Sequence, residues 1–93
     1  MRTWCKEFRA QRYEQAIQDV HEYIEQDSAD AARMMLLHTE NRVGSLADPN
    51  VPRRKSRIRS TLELVAHPNY VVVTQQSATT VVVLNVLHVA NYR

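Results

Sequence analysis

The sequence is poor in the residues that mark several protein classes. Its 93 residues contain one glycine, one cysteine and three prolines. A single cysteine, Cys5, forms neither an internal disulfide nor a multi-cysteine zinc site, and one glycine is too few for a phosphate-cradling loop. The chain lacks both an unbroken run of about 20 apolar residues and the apolar stretch of a signal peptide. We therefore expect a cytoplasmic protein without a membrane segment.

Length and composition predict a single globular domain over residues 1–93. Hydrophobic residues make up 44% of the chain and charged residues 24%, which is typical of a protein with a packed core. The chain is too short for a second core. A domain of this size buries a modest apolar surface, so we expect it to function in contact with a larger partner.

Charge is distributed unevenly along the chain. Six acids and no lysine or arginine lie in residues 14–30, whereas five bases and no acid lie in residues 53–59. Residues 64–92 carry no formal charge. The four histidines, at positions 21, 38, 67 and 88, are too scattered to suggest a metal site, and we expect no metal or other cofactor.

Apolar spacing predicts two consecutive helices. From Phe8 to about Gln26, apolar residues recur every three or four positions, at Tyr13, Ala16, Ile17, Val20, Tyr23 and Ile24. Asp27-Ser28 offers an N-cap for a second helix that continues toward Leu46, with Gly44 near its end. Such a short connection predicts an antiparallel helical hairpin.

The pattern in the second half of the chain predicts β-structure. Two prolines at positions 49 and 52 break the helical pattern, and β-branched residues then predict strands at 62–66, 70–74 and 80–87. Residues 3–5 form a candidate first strand. The predicted fold class is α+β: an N-terminal two-helix hairpin packed on a three- to four-stranded antiparallel sheet.

The last strand raises a question about partners. Strict alternation places Val82, Leu84 and Val86 on the face toward the helices, together with His88. The opposite face then carries Val81, Val83, Asn85 and Leu87. Two helices cover only one face, yet both faces are apolar. Either the sheet curls enough to bury both faces, or a partner chain covers the second one.

The basic run of residues 53–59 is the second candidate for a binding surface. Its members are Arg53, Arg54, Lys55, Arg57 and Arg59. A solvated loop is the simple interpretation, whereas an extended backbone places Arg57 and Arg59 on one side as a ledge for an acidic partner. No aromatic residue alternates with the bases, so we expect no direct binding of single-stranded nucleic acid.

Several segments resemble a known family in their order and spacing. Trp4 precedes a first helix that ends His-Glu-Tyr-Ile, at residues 21–24. Residues 63–73 read Glu-Leu-Val-Ala-His-Pro-Asn-Tyr-Val-Val-Val, and residues 82–88 read Val-Val-Leu-Asn-Val-Leu-His. The chain resembles the RelE/ParE superfamily of type II toxin–antitoxin toxins, specifically its ParE branch, over nearly its whole length.

This resemblance implies a toxin, a partner and a target. The toxin would bind and inhibit DNA gyrase, and a cognate antitoxin would neutralise it in a hetero-oligomer through a segment that folds on binding. The basic run and the second face of the last strand suit such partners, and Arg93 is a further candidate contact. The residues of both surfaces are therefore candidates for antitoxin or target binding.

The chain departs from the family pattern where catalysis would need a cation. Ser60-Thr61-Leu62-Glu63 stands where the family usually has Gly-x-Arg-Glu, so Leu62 replaces a basic residue that contacts the scissile phosphate in RelE-like nucleases. We therefore expect no enzymatic activity. One alternative is a RelE-like ribosome-dependent mRNA interferase, and another is a degenerate toxin that only binds its antitoxin. The catalytic candidates for a nuclease are His88, Tyr92, Arg57 and Arg59.

Overall fold

A computed structural model describes residues 6–47, 54–55 and 60–92. Strand β1 (Lys6–Arg9) leads into helices α1 (Gln11–Glu25) and α2 (Ala29–Gly44), and a 3-10 turn (Ser45–Ala47) follows. The later elements are strands β2 (Arg54–Lys55), β3 (Leu62–His67), β4 (Tyr70–Gln76) and β5 (Thr80–His88), and the short helix α3 (Val89–Tyr92). None of the helices in these ranges is long and apolar enough to cross a membrane.

The predicted α+β class is confirmed, with a larger sheet than expected. Five strands lie in the order β1-β5-β4-β3-β2, and β1 runs parallel to β5 while the other pairs are antiparallel. The sheet is therefore mixed and five-stranded, not three- to four-stranded and antiparallel. Phe8 belongs to β1, so the expectation that the first helix begins there is wrong. The candidate strand at residues 3–5 falls outside the described ranges.

The two predicted helices form at nearly the expected positions. Tyr13 and Ile17 of α1 are buried, and three further members of its apolar stripe pack against them. Tyr23 does not follow the stripe, since its side chain is 67% exposed. The predicted N-cap of α2 is confirmed, because the Ser28 hydroxyl accepts a hydrogen bond from the Ala31 amide at 3.1 Å.

The core lies between the helix hairpin and one face of the sheet. Its buried members are Tyr13, Ile17, Met35, Val43, Leu46, Leu64, Ala66, Tyr70, Val72, Val81, Val83 and Val86. Helix α1 packs over β5 and helix α2 over β3. The sheet face that carries the core residues is called the inner face below, and the opposite face the outer face.

A polar cluster joins β1 to both helices at one end of the core. The buried Tyr13 hydroxyl donates to Glu40 Oε1 at 3.0 Å, and Arg9 pairs with the other oxygen of Glu40 and with Glu7. Burial raises the pKa of Tyr13, and the neighbouring Glu40 charge raises it further. Burial alone would lower the pKa of Arg9, but its two carboxylate partners outweigh that effect and raise it. Tyr13 and Arg9 therefore keep their protons across ordinary pH.

An irregularity in β5 decides which of its residues face the core. Val73 of β4 lies opposite Asn85, but the next residue, Thr74, lies opposite Val83. Leu84 is thus an extra residue without a direct partner in β4, as in a β-bulge. Because side chains alternate along a strand, one extra residue reverses the face of everything that follows it.

The bulge overturns part of the predicted alternation. Val81 and Val83 are 0% exposed and belong to the core, so their predicted position on the second face is wrong. Val86, beyond the bulge, is buried in the core as expected. Val82 and Leu84 are only half-buried, so their predicted place in the core is wrong as well.

Ser60 adopts a backbone conformation that glycine would normally occupy. Its φ is +64°, in the left-handed region, and it lies two residues before β3 begins at Leu62. This position corresponds to the glycine of the family pattern noted above. A residue with a side chain pays about 1–2 kcal/mol in that region, because its Cβ approaches the backbone.

We expect Ser60→Gly to stabilise the protein by about 1 kcal/mol, which corresponds to a rise of roughly 4–8 °C in melting temperature for a domain of this size. Gly44→Ala is the matched comparison in ordinary helical geometry, since nothing lies within 4 Å of an added Cβ there. It should contribute about 0.5–1 kcal/mol. Thermal unfolding followed by circular dichroism measures both. A destabilised Ser60→Gly variant would contradict the strain at this residue.

The bulge also predicts opposite outcomes for two neighbouring substitutions. Val83→Asp should abolish folding, because it places a carboxylate where the side chain is 0% exposed, at a cost of at least about 4 kcal/mol. Leu84→Asp should leave a folded protein, destabilised by about 1–2 kcal/mol, because Leu84 is half-buried at the bulge. Far-UV circular dichroism and thermal unfolding compare the two. Unfolding by Leu84→Asp with a normal melt for Val83→Asp would show that the faces are reversed.

Candidate partner-binding surfaces

The outer face of the sheet combines polar and apolar side chains. Strand pairing places Glu63 opposite Val73 and Val73 opposite Asn85, and it places Val65 and Leu87 on either side of Val71. Asn85 and Leu87 are half-buried and lie on this face, where the sequence predicted them. Their role in binding a partner remains a prediction. Val81 and Val83, by contrast, are buried in the core and offer no surface to a partner.

Part of the basic run makes contacts within the protein itself. Arg54 and Lys55 form β2 and pair with Glu63 and Leu62 of β3. The Arg54 guanidinium donates through Nε to Glu63 Oε1, although the Glu63 side chain is only 7% exposed. The second oxygen, Glu63 Oε2, is buried and has no hydrogen-bond partner within the described part of the chain. An unmatched buried carboxylate oxygen costs free energy, so Arg54 is engaged in compensating this charge.

Sequence reasoning missed the Arg54–Glu63 pair. The two residues are nine positions apart and meet only because a two-residue strand adds to the edge of the sheet. No periodicity marks so short a strand. The basic run is therefore not a uniform charged surface. Lys55 is exposed without an ion pair in the described ranges, whereas Arg54 is already paired.

A groove of about 600 Å³ lies between α1 and the ends of β4 and β5. Its lining residues are Ala16, Asp19, Val20, Tyr23, Tyr70, Val86, Leu87, His88 and Ala90. The Tyr70 and His88 rings meet edge to face with centroids 5.1 Å apart, and the His67 ring centroid lies 5.8 Å from that of Tyr70. Burial raises the pKa of Tyr70, with a smaller contribution from Tyr23.

The imidazole of His88 is already engaged with the backbone at one of its nitrogens. The His88 Nδ1 atom accepts a hydrogen bond from the Ala90 amide at 3.0 Å, so this nitrogen serves the backbone at the start of α3. Among the described residues, the lining contains the acid Asp19 and no lysine or arginine.

Several predicted site residues cannot be positioned. Arg53, Arg57, Arg59 and Arg93 lie outside the described ranges, as does the proposed ledge of the basic run. Tyr92 ends α3, but its side chain also lies outside them. Within residues 6–47, 54–55 and 60–92, no three histidine, cysteine or acidic side chains form a group that could hold a metal ion.

Exposed apolar side chains on α2 are a feature that the sequence analysis did not single out. Met34 is 62% exposed and Leu37 is 54% exposed, one turn apart on the solvent side of the helix. The sequence did contain a signal, because Met34 and Leu37 flank Met35 and Leu36 of the predicted α2 stripe and are apolar although they lie outside it. Together with Tyr23 on α1, they are the large apolar side chains that the two long helices expose in the described ranges.

Comparison with known proteins agrees with this fold. The sequence matches the family model described as "ParE toxin of type II toxin-antitoxin system, parDE" over residues 8–91. A search of curated proteins gives no match. A solved structure from P. aeruginosa, titled "Chromosomal ParDE TA system", superposes with a TM-score of 0.80 at 10% sequence identity, over 92% of this chain and 97% of that chain. The structural likeness establishes the fold, and the family model shows that the chain belongs to the ParE toxin family of type II toxin–antitoxin systems.

Proposed function

We propose that the protein is a toxin that acts in the cytoplasm by binding and inhibiting DNA gyrase, and that a cognate antitoxin neutralises it. The observation that carries this proposal is the ParE family model, which spans residues 8–91. The antitoxin contributes a segment that folds as it binds, since such a segment can cover a large surface on a small domain. Toxin and antitoxin then form a hetero-oligomer.

The surfaces of the molecule support action by binding. Tyr23, Met34 and Leu37 are large apolar side chains that are each more than half exposed. Aromatic residues and methionine are enriched in protein–protein interfaces. The half-buried Leu87 adds apolar area on the outer face of the sheet. These features favour extended protein contacts over a small-molecule site.

The surroundings of His88 support the proposal that the toxin acts by binding rather than by catalysis. A general acid or base needs a partner of complementary role and a cation for the phosphate. The groove around His88 offers Tyr70 and Asp19, and none of its lining residues in the described ranges is a lysine or arginine. Leu62, in place of the family's basic residue, is a half-buried member of β3 opposite Thr74. It supplies no charge to a phosphate.

Two parallel assays test the proposal directly. Purified toxin, released from its co-expressed antitoxin, is added to gyrase supercoiling of relaxed plasmid and to mRNA on translating ribosomes. We expect inhibited supercoiling and intact mRNA, and we expect added antitoxin to restore supercoiling. Cleaved mRNA with normal supercoiling would instead establish the interferase alternative. If folded toxin that still binds its antitoxin neither inhibits supercoiling nor cleaves mRNA, the protein is a degenerate toxin.

His88→Asn separates binding from catalysis. Asparagine Oδ1 can replace the imidazole Nδ1 as acceptor of the Ala90 amide, but it cannot exchange a proton near neutral pH. We expect this variant to inhibit supercoiling within about twofold of the unaltered toxin. A catalytic histidine would lose roughly 100-fold or more. Such a loss, from a variant with an unchanged thermal melt, would contradict a purely binding mechanism.

A further inference from the structure

Three aromatic rings form a row across one end of the sheet. Strand pairing places His67 of β3 opposite Tyr70 of β4, and it places Tyr70 opposite His88 of β5. The Tyr70 side chain is buried among core residues, and the two histidines beside it are half-buried. Each imidazole therefore contacts the central phenol ring and lies next to the segment that follows its strand.

Each histidine of the row holds the main chain two residues further along the sequence. The His67 Nδ1 atom accepts a hydrogen bond from the Asn69 amide at 3.1 Å, as His88 Nδ1 does from the Ala90 amide. An asparagine side chain makes the same bond in an Asx turn. The Val89 amide also donates to the Asn69 carbonyl oxygen at 2.9 Å. The β3–β4 turn and the start of α3 are thereby joined in one corner.

Both imidazole bonds require a ring without charge. A neutral imidazole has one nitrogen that carries a proton and one that accepts a hydrogen bond, whereas an imidazolium donates from both nitrogens. Imidazole changes charge between about pH 5 and 8 in most proteins. Mild acid therefore removes the acceptor from His67 and from His88, and it leaves two N–H groups directed at each other in each turn.

The groups around His67 are basic. His67 lies in a pocket of about 270 Å³ between β3 and α2, and the titratable groups among the other described lining residues are His38 and Arg42 of α2. Tyr70 on its other side keeps its proton in this range, because burial raises its pKa. A charged His67 would be repelled by Arg42, and also by His38 once that ring is charged. Repulsion would thus move the protonated ring away from its turn.

The groups around His88 give a charged ring a different partner. The titratable groups among the other described residues of its groove are Asp19 and Tyr23 of α1 and Tyr70 of β4. Both phenols are uncharged below about pH 8. The Asp19 carboxylate is then the one anion that a charged His88 meets in the described part of the groove, so a proton favours a ring turned toward α1. That orientation removes the imidazole from the Ala90 amide.

We propose that the row of His67, Tyr70 and His88 is a pH-sensitive latch that holds α3 against the end of the sheet at neutral pH and releases it in mild acid. Because Ala90 of α3 lines the groove beside α1, release would open one end of that groove. The latch involves contacts within the chain only, so it is independent of the toxin's target.

The sign of the pH dependence follows from proton binding. The closed latch keeps both imidazoles neutral, whereas the released or unfolded chain leaves them free to take up protons. The contribution of the latch to stability is therefore complete above the imidazole range and is lost as the pH falls through it.

Asparagine at both histidine positions should remove the pH dependence and keep the latch closed, because its Oδ1 accepts from the amide two residues on and takes up no proton. Melting temperatures of the full-length chain are compared at about pH 7.5 and about pH 5. We expect the unaltered chain to lose roughly 4–8 °C more on acidification than the His67→Asn/His88→Asn double variant. His21→Asn is the matched control, since His21 lies in a separate groove between the two long helices, and it should keep the full loss.

Nuclear magnetic resonance of the unaltered chain reads the latch without any substitution. At neutral pH we expect both imidazoles to carry their proton on Nε2. As the rings gain charge, the Asn69 and Ala90 amide signals should shift at the same pH. Protection of the Ala90 amide from hydrogen exchange, corrected for the intrinsic pH dependence, should fall at least about tenfold. In His88→Asn this protection should stay constant.

Several outcomes would overturn the latch. Equal acid-induced losses in the unaltered chain and the double variant would show that the two histidines do not cause the loss. A His21→Asn variant that removes as much of the loss as the double variant would show a general charge effect. Charged imidazoles with unchanged protection at Ala90, or a proton on Nδ1 at neutral pH, would exclude the hydrogen bonds on which the latch depends.

Discussion

The single extra residue in β5 governs how this small sheet buries its apolar side chains. Val83 and Val86 both belong to the core, although strict alternation would put residues three positions apart on opposite faces of the sheet. They share a face because Leu84 between them is bulged. The bulge explains why both alternating sets of the last strand are apolar in sequence. Each set contributes to the core on one side of the bulge. A partner over the entire second face is therefore not needed to explain this pattern.

The elements that the sequence predicted well are those that depend on neighbours along the chain. Helical periodicity located Tyr13 and Ile17 in the core, and Ser28 was a recognisable cap because its role involves only the next turn. The parallel pairing of β1 with β5 and the position of the bulge depend on residues some 70 positions apart and on strand register. Periodicity contains no information on either, so both were missed.

The candidate site was less predictable, because charge in a sequence does not show which charges are already paired. The basic run suggested five equivalent cations, but Arg54 compensates the buried Glu63, whereas Lys55 has no such partner in the described ranges. Conversely, Arg42 attracted no attention as an isolated base within a helix. The packing of α2 against β3 places it in a pocket beside Val65 and His67. Whether a cation is available thus follows from tertiary contacts.

Unfavourable local energies are concentrated at the beginning of β3. Ser60 adopts the left-handed region just before the strand, and Glu63 buries an oxygen that lacks a partner among the described residues. The core residues Leu46 and Leu64, by contrast, are almost fully buried. Strain retained at one place in an otherwise well-packed domain is a common mark of a functional surface. Because a ligand that binds only the folded state stabilises it, a partner that contacts the beginning of β3 would offset part of this local cost.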